Sequence, residues 1–182
     1  MSKDGNSGLN ALKVLQQKLD PTSHLEVIHE GGYIWKAHFE FEVPAKGEDL
    51  EVIKGQLWLP LPSAYEQFLR HCNGALLYHD DRHGQWGFRL YGTKDLLIEN
   101  ARWKEVYEEN WPLAYIAFAE SLGDADLLVL DTAQPTGKGR DCRVIDGNGD
   151  DPPSLWTAAA RSFSDWLDRL VVAQGAKYWR WY

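Results

Sequence analysis

The stretch "AYIAFAESLGDADLLVLDT", residues 114–132, holds two strand-like runs, "AYIAFAE" and "DLLVLDT", with only "SLGDA" between them. A parallel crossover needs about a dozen residues or more, so this short link makes the two runs pair antiparallel. The arrangement recurs upstream, where "ALLYH" (75–79) and "WGFRLYG" (86–92) flank the charged turn "DDRHGQ" and read as a hairpin. Further back, "YIWKAHFEFEV" (33–43) sets Tyr33, Trp35, Ala37, Phe39, Phe41 and Val43 against Lys36, His38, Glu40 and Glu42. That alternation predicts a long strand with one wet face. Downstream, "QPTGKGRD" (134–141) reads as a loop, "CRVID" (142–146) as a short strand and "GNGDDPP" (147–153) as another loop.

Helical spacing brackets these strands. Leu9, Leu12, Leu15 and Leu19 mark a first helix, ended by "DPTS" because Pro21 turns Asp20 away from the helical region. "GEDLEVIKGQL" (47–57) places Leu50, Ile53 and Leu57 on one side. In "LPSAYEQFLRHCNG" (61–74), Ser63 and Glu66 have the spacing of a capping box. Tyr65, Phe68, Leu69 and Cys72 form the apolar face of that helix, and Asn73-Gly74 suits its end. Thr93 is placed to cap a helix through "KDLLIENARWKEVYEEN", and Phe163, Trp166, Leu167, Leu170 and Val171 stripe the last one, with Ser162 as cap and Gly175 just past its end. The expected fold class is α+β, a central, mostly antiparallel sheet with helices packed on one face and at the ends.

A chain of 182 residues suits one domain. Residues 1–43 read as an N-terminal extension of helix plus long strand, 44–172 as the core and 173–182 as an aromatic tail. Residues 1–8 are polar and Gly/Ser-rich and read as mobile. The net charge of −8 comes without a basic cluster, which argues against nucleic-acid binding and fits a basic partner. Nine Trp raise the aromatic fraction to 13%, as a heavily aromatic core or an exposed aromatic surface would. No apolar run resembles a signal peptide or a membrane span, and two Cys give no disulfide framework, so the expected compartment is the cytoplasm.

The constellations that carry chemistry are sparse. His71 and Cys72 are adjacent, but on a helix adjacent side chains point about 100° apart, and a helix C-terminus disfavours a thiolate. Cys72 therefore belongs to the core, and His71, like Arg70, suits the carbonyl end. Glu120, Asp124, Asp126 and Asp131 cluster in sequence, with Asp131 and Thr132 closing their strand. Asp124 and Asp126, if they share a side, could meet a cation or a basic partner. "DGNGDD" places Asp146, Asn148 and Asp150 as a calcium loop would, then fails at Asp151, where Gly is needed, and at Thr157, where Glu is needed. The turn "YHDDRHG" offers His79, Asp80, Asp81 and His83, which turn geometry explains without catalysis. "GKGR" (137–140) is no phosphate-binding loop.

Several of these motifs resemble the SUKH superfamily, which groups the yeast cell-wall assembly regulator with many bacterial immunity proteins. "LPSAYEQFLRHCNGA" is similar to its LP-x-x-Y-x-x-F-L-x-x-x-N-G signature at Leu61, Pro62, Tyr65, Phe68, Leu69, Asn73 and Gly74. "WGFRLYGTKDL", "IAFAESLGDADLLVLDT" with Gly123, Asp124 and Asp131, and "ARSFSDWLDRL" with Phe163, Trp166 and Leu167 follow in the family's order, so that the resemblance spans roughly Pro44 to Leu170. It implies a helix-flanked antiparallel sheet and a protein-binding role without catalytic residues.

The expected function is thus a non-enzymatic binding module, resembling an immunity protein that neutralises a toxin or a related regulatory domain. The expected partner is a protein, for example a basic nuclease toxin, with no nucleic acid, membrane, cofactor or metal. Asp80, Asp81, Glu120, Asp124 and Asp126 are the expected contact residues, and the chain is expected to be a monomer or weak homodimer. The alternatives are a small enzyme using carboxylates and His79 or His83, with or without a metal, and a scaffold whose long N-terminal strand pairs with another copy. The "AKYWRWY" tail is expected to dock in part.

Overall fold

The computed structural model describes residues 7–28, 31–57, 59–136 and 141–181. Its eight strands are β1 (His24–Ile28), β2 (Ile34–Phe41), β3 (Ala75–His79), β4 (Phe88–Leu90), β5 (Tyr115–Ser121), β6 (Leu127–Thr136), β7 (Asp141–Gly147) and β8 (Thr157–Ala160). They form one antiparallel sheet whose spatial order is the chain order. The helices are α1 (Ser7–Lys18), α2 (Gly47–Gln56), α3 (Ser63–His71), α4 (Thr93–Tyr107) and α5 (Phe163–Val172). The α+β expectation holds, with both expected hairpins in place: Leu77 faces Phe88 across β3–β4, and Ala117 faces Val129 across β5–β6. No helix among the described residues is long and apolar enough to cross a membrane.

The core forms where α5 meets the sheet. Phe163, Trp166, Leu167 and Leu170 are buried along the predicted stripe, and Ser162 Oγ accepts the Asp165 N–H as the predicted cap. Fully burying each such side chain is worth about 1.5–3 kcal/mol. α1 packs along α5 through Leu12 and Leu15, while α3 meets α5 and β7. Tyr65 of α3 sends its hydroxyl into the sheet, where it donates to the Tyr91 carbonyl at 2.5 Å. In β2, Ala37 and Phe39 are buried while Lys36 and Glu40 are exposed, so this end of the sheet keeps the predicted wet face. Tyr33 and Val43, expected on the apolar side, lie beyond the strand's ends and are exposed.

Several local expectations are corrected. Pro62, rather than Ser63, holds the N-cap position of α3, and the Glu66 carboxylate turns to Lys54 and Arg70 instead of closing a capping box. Gly92, not Thr93, is the N-cap of α4. The Thr93 N–H donates to the side chain of Asn73 at 2.8 Å, and Asn73 Nδ2 donates back to the Thr93 hydroxyl. This gives the Asn73-Gly74 pair its purpose: Gly74, at φ +110°, closes α3 beside the backbone of Gly92, so that Asn73 caps the next helix. β6 does not close at Asp131 but continues irregularly to Thr136, and residues 137–140 of the expected loop lie outside the described residues. Of the start expected to be mobile, residues 7 and 8 begin α1 and residues 1–6 lie outside the described residues.

The long N-terminal strand is not available to another copy, because β2 lies between β1 and β3. β1, at the sheet edge, is itself partly sealed. The Asp20 N–H donates to the His24 carbonyl, the His24 N–H to Asp20 Oδ1, and the Ile28 N–H to Gln174 Oε1. Edge groups engaged in this way leave few sites for strand addition.

Candidate functional site

Cys72 lies in the core, as the helix-end reading of the His71–Cys72 pair expects. It is buried at the end of α3, and burial pushes its thiol up to about 12. Among the described residues His71 has no ion-pair partner. Burial, helped by Lys13, moves its pKa down, and its Nε2 lies 2.8 Å from Gln16 Oε1.

The five expected contact carboxylates are all engaged within the chain. Asp80 is mostly buried and accepts the N–H groups of Arg82 and His83, with the His83 ring 3.0 Å from its other oxygen. Asp81 reaches His24 Nε2 at 3.1 Å, which holds its carboxyl below the usual range. Glu120 faces Arg89 and the Tyr91 hydroxyl across the sheet. Asp124 and Asp126 do share a side, and the cation they meet is Lys177 of the chain's own tail. Arg180 adds an ion pair to Asp126 and a two-pronged one to Asp146, at 2.6 and 2.7 Å. Asp131 stays apart and accepts the Ala133 N–H. The calcium-like loop is spoken for as well: Arg180 holds Asp146, Asn148 pairs with Asp151, and the Trp156 indole donates to both backbone carbonyls of that pair.

These pairs fasten the tail. Residues Tyr178–Arg180 form a single 3-10 turn, with the Trp179 ring 6.1 Å from Phe88 and 6.3 Å from Trp166. Burial works against the charge on Asp126, yet Lys177, the Gly149 N–H and Arg180 outweigh it and hold the carboxyl below its usual range. A carboxyl depressed in the folded state adds stability above its unfolded pKa of about 3.9, and that stability is lost as pH falls through the folded value. Below about pH 4 the tail is therefore expected to loosen. Asp126→Asn should reduce the acid sensitivity of the thermal midpoint, measured from about pH 6 to pH 3.

One exposed apolar surface combines aromatic and aliphatic side chains. Ile28, Tyr33, Ile34, Trp86 and Trp181 are all large, apolar and exposed, Ile34 by 66% and Trp86 by 44%. They gather around two joined cavities that share Trp35, Gln85 and Trp86. One, about 250 Å³, is lined by Tyr78, Phe88, Lys177 and Trp181 among others. The other, about 710 Å³, is a polar basin that includes His24, Glu26, Lys36, Asp80, Asp81 and Arg82. Large exposed apolar patches with polar rims are the usual mark of interaction sites. Of the expected contact residues, Asp80, Asp81 and Asp124 border these cavities, and Glu120 and Asp126 do not. The sequence reading missed Trp86, for which the high Trp content was the only signal, and the Ile28–Ile34 cross-strand pair, whereas Trp181 lay in the aromatic tail it singled out.

Gly123 sets the position of Trp86. It sits at φ +94°, and a Cβ there would lie 2.2 Å from the Gln85 carbonyl oxygen, while the Leu122 N–H donates to the Gly87 carbonyl. Gly123→Ala combines a left-handed backbone with this clash, at a cost of about 1–3 kcal/mol. It should displace the 85–87 segment, read as a shifted Trp86 indole signal by NMR and a lower denaturation midpoint.

A family model described as the SMI1 / KNR4 family (SUKH-1) matches residues 44–169. No curated protein matches the chain.

Proposed function

The chain belongs to the SMI1 / KNR4 family (SUKH-1), and from that premise we propose that it is a non-enzymatic protein-binding module. In this reading it is an immunity protein that binds and neutralises a cognate toxin, or a related regulatory interaction domain. Family membership is consistent with an interaction or immunity-type role. The observation that carries the reading is the gathering of Ile28, Ile34, Trp86 and Trp181 around one pair of cavities. Trp is enriched among the residues that dominate binding energy at protein interfaces. Co-expression with each candidate toxin encoded beside this gene tests it. The expected result is cell survival and co-purification of the two chains, both lost with Trp86→Ala. Cell death without co-purification would remove the reading.

One observation favours the enzymatic alternative. His24, His38 and His79 lie side by side across β1, β2 and β3, with Asp81 on His24. Among the described residues, however, no three His, Cys, Asp or Glu side chains converge as metal ligands would. If the purified chain hydrolyses the toxin's substrate or a generic ester, and His24→Ala abolishes that activity, the enzyme reading takes precedence.

A further inference from the structure

Building on the reading that this face binds a protein, we infer that the partner presents a positively charged segment with one large apolar side chain. That side chain seats in the cavity beside Trp86, and the charges around it lie over the basin carrying Glu26 and Asp81. The size of the cavity supports the anchor. At about 250 Å³ it has room for one large side chain. Lined by Trp35, Phe88, Trp86 and Trp181, it suits a single buried side chain of the kind that anchors an interface.

The balance of charge supports the basic segment. Most bases lining the two cavities already have carboxylate partners inside the chain. Lys36 is paired with Asp20, Lys177 with Asp124 and Asp126, and Arg180 with Asp126 and Asp146. That leaves Glu26 and Asp81 against Arg82 in the basin, with Asp81 on the His24 ring and the buried Asp80 on the His83 ring. With histidines counted as neutral, the basin keeps an excess of negative charge, on a chain whose formal charge is already −8. Such a rim attracts and orients a cationic segment and disfavours an acidic one. The apolar cavity and the acidic basin meet at Trp35, Gln85 and Trp86, so one short extended segment can reach both.

The test uses the full chain, labelled with ¹⁵N at tryptophan, at about pH 8, where free imidazole is neutral. Three tripeptides serve as probes: Lys-Trp-Lys, Glu-Trp-Glu and Lys-Ala-Lys. Lys-Trp-Lys should shift the indole signals of Trp86 and Trp181 and bind at least about tenfold more tightly than either of the others. Raising the salt to about 0.5 M should narrow the gap between the two Trp peptides, because these charges are screened. Trp86→Ala, with an unchanged thermal midpoint, should abolish the shift at Trp181, and Glu26→Lys should remove the preference for the basic peptide. The inference is overturned if Glu-Trp-Glu binds as well as Lys-Trp-Lys, if the Ala peptide matches the Trp peptide, or if nothing shifts up to about 10 mM, near the weak end of measurable affinity. A chain that fails here yet protects against its toxin sinks only this inference. One that binds the basic peptide but neither protects nor co-purifies sinks the immunity reading instead.

Discussion

Trp166→Ala is expected to destabilise the chain by about 3–5 kcal/mol, the usual loss for truncating a buried tryptophan. Trp166 is fully buried in α5, with ring centroids of Phe88, Phe118, Phe163 and Trp179 within 5.2–6.3 Å. No single neighbour can fill the space, because each ring is held by a different element. A domain of this kind is stable by only about 5–15 kcal/mol in total, so the thermal midpoint should fall by about 10 °C or more. Trp166→Phe is the control. It keeps an aromatic ring and removes an indole N–H that has no acceptor among the described residues. A loss well under half that of the alanine variant is therefore expected in urea denaturation. If the two variants lose equally, the ring cluster is not what holds α5 to the sheet.

Asn100→Leu should be nearly as damaging, for a different reason. Asn100 lies buried in α4 against the irregularity in β5, where the ladder to β6 slips between Ala117 and Ala119. Its Oδ1 accepts the Ala117 N–H, and its Nδ2 donates to the Ala117 and Leu96 carbonyls, each at 2.8 Å. Ala117 pairs with β6 on one side only, and this side chain stands in on the other, where the β4–β5 ladder ends at Leu90 and Ala119. Leucine matches its size but leaves a buried donor and acceptor unpaired, each costing about 1–3 kcal/mol. The expected total is about 2–5 kcal/mol, with accelerated hydrogen exchange at the Ala117 amide. Full protection of that amide in the variant would show that β5 supplies its own partner.

What the residues reveal unaided follows from how local each signal is. The α5 stripe and the Ser162 cap are written within a dozen residues and were legible, as were the alternation in β2 and the two hairpins. β8 was not: its "TAAA" run has no alternation and exists as a strand because β7 is there to pair with it. β1 was missed for a similar reason, since "HLEVI" is short and its edge is sealed by Asp20 and by Gln174, far away in the chain. The candidate site was the least legible part. The carboxylates of Asp124 and Asp126 are plain to read, but that Lys177 and Arg180 reach them is a fact of the fold. The exposure of Trp86 depends on Gly123, whose role appears only when the Gln85 carbonyl is seen against it.

The chain-ordered sheet also bears on how the protein comes into being during synthesis. Because every strand pairs with the one made just before it, the sheet can zip up progressively as the chain leaves the ribosome, with few distant pairings to wait for. The α1–α5 contact is the most distant helix pairing. The first helix must wait for the last, and at about 5–20 residues per second that delay is on the order of ten seconds or more. Throughout it, the apolar stripe of α1 has no α5 to rest on. The tail that lines the cavity beside Trp86 arrives later still. A nascent chain would therefore lack this completed face until the residues from Gln174 to Trp181 have been made, and any protection it gives would lag by that interval.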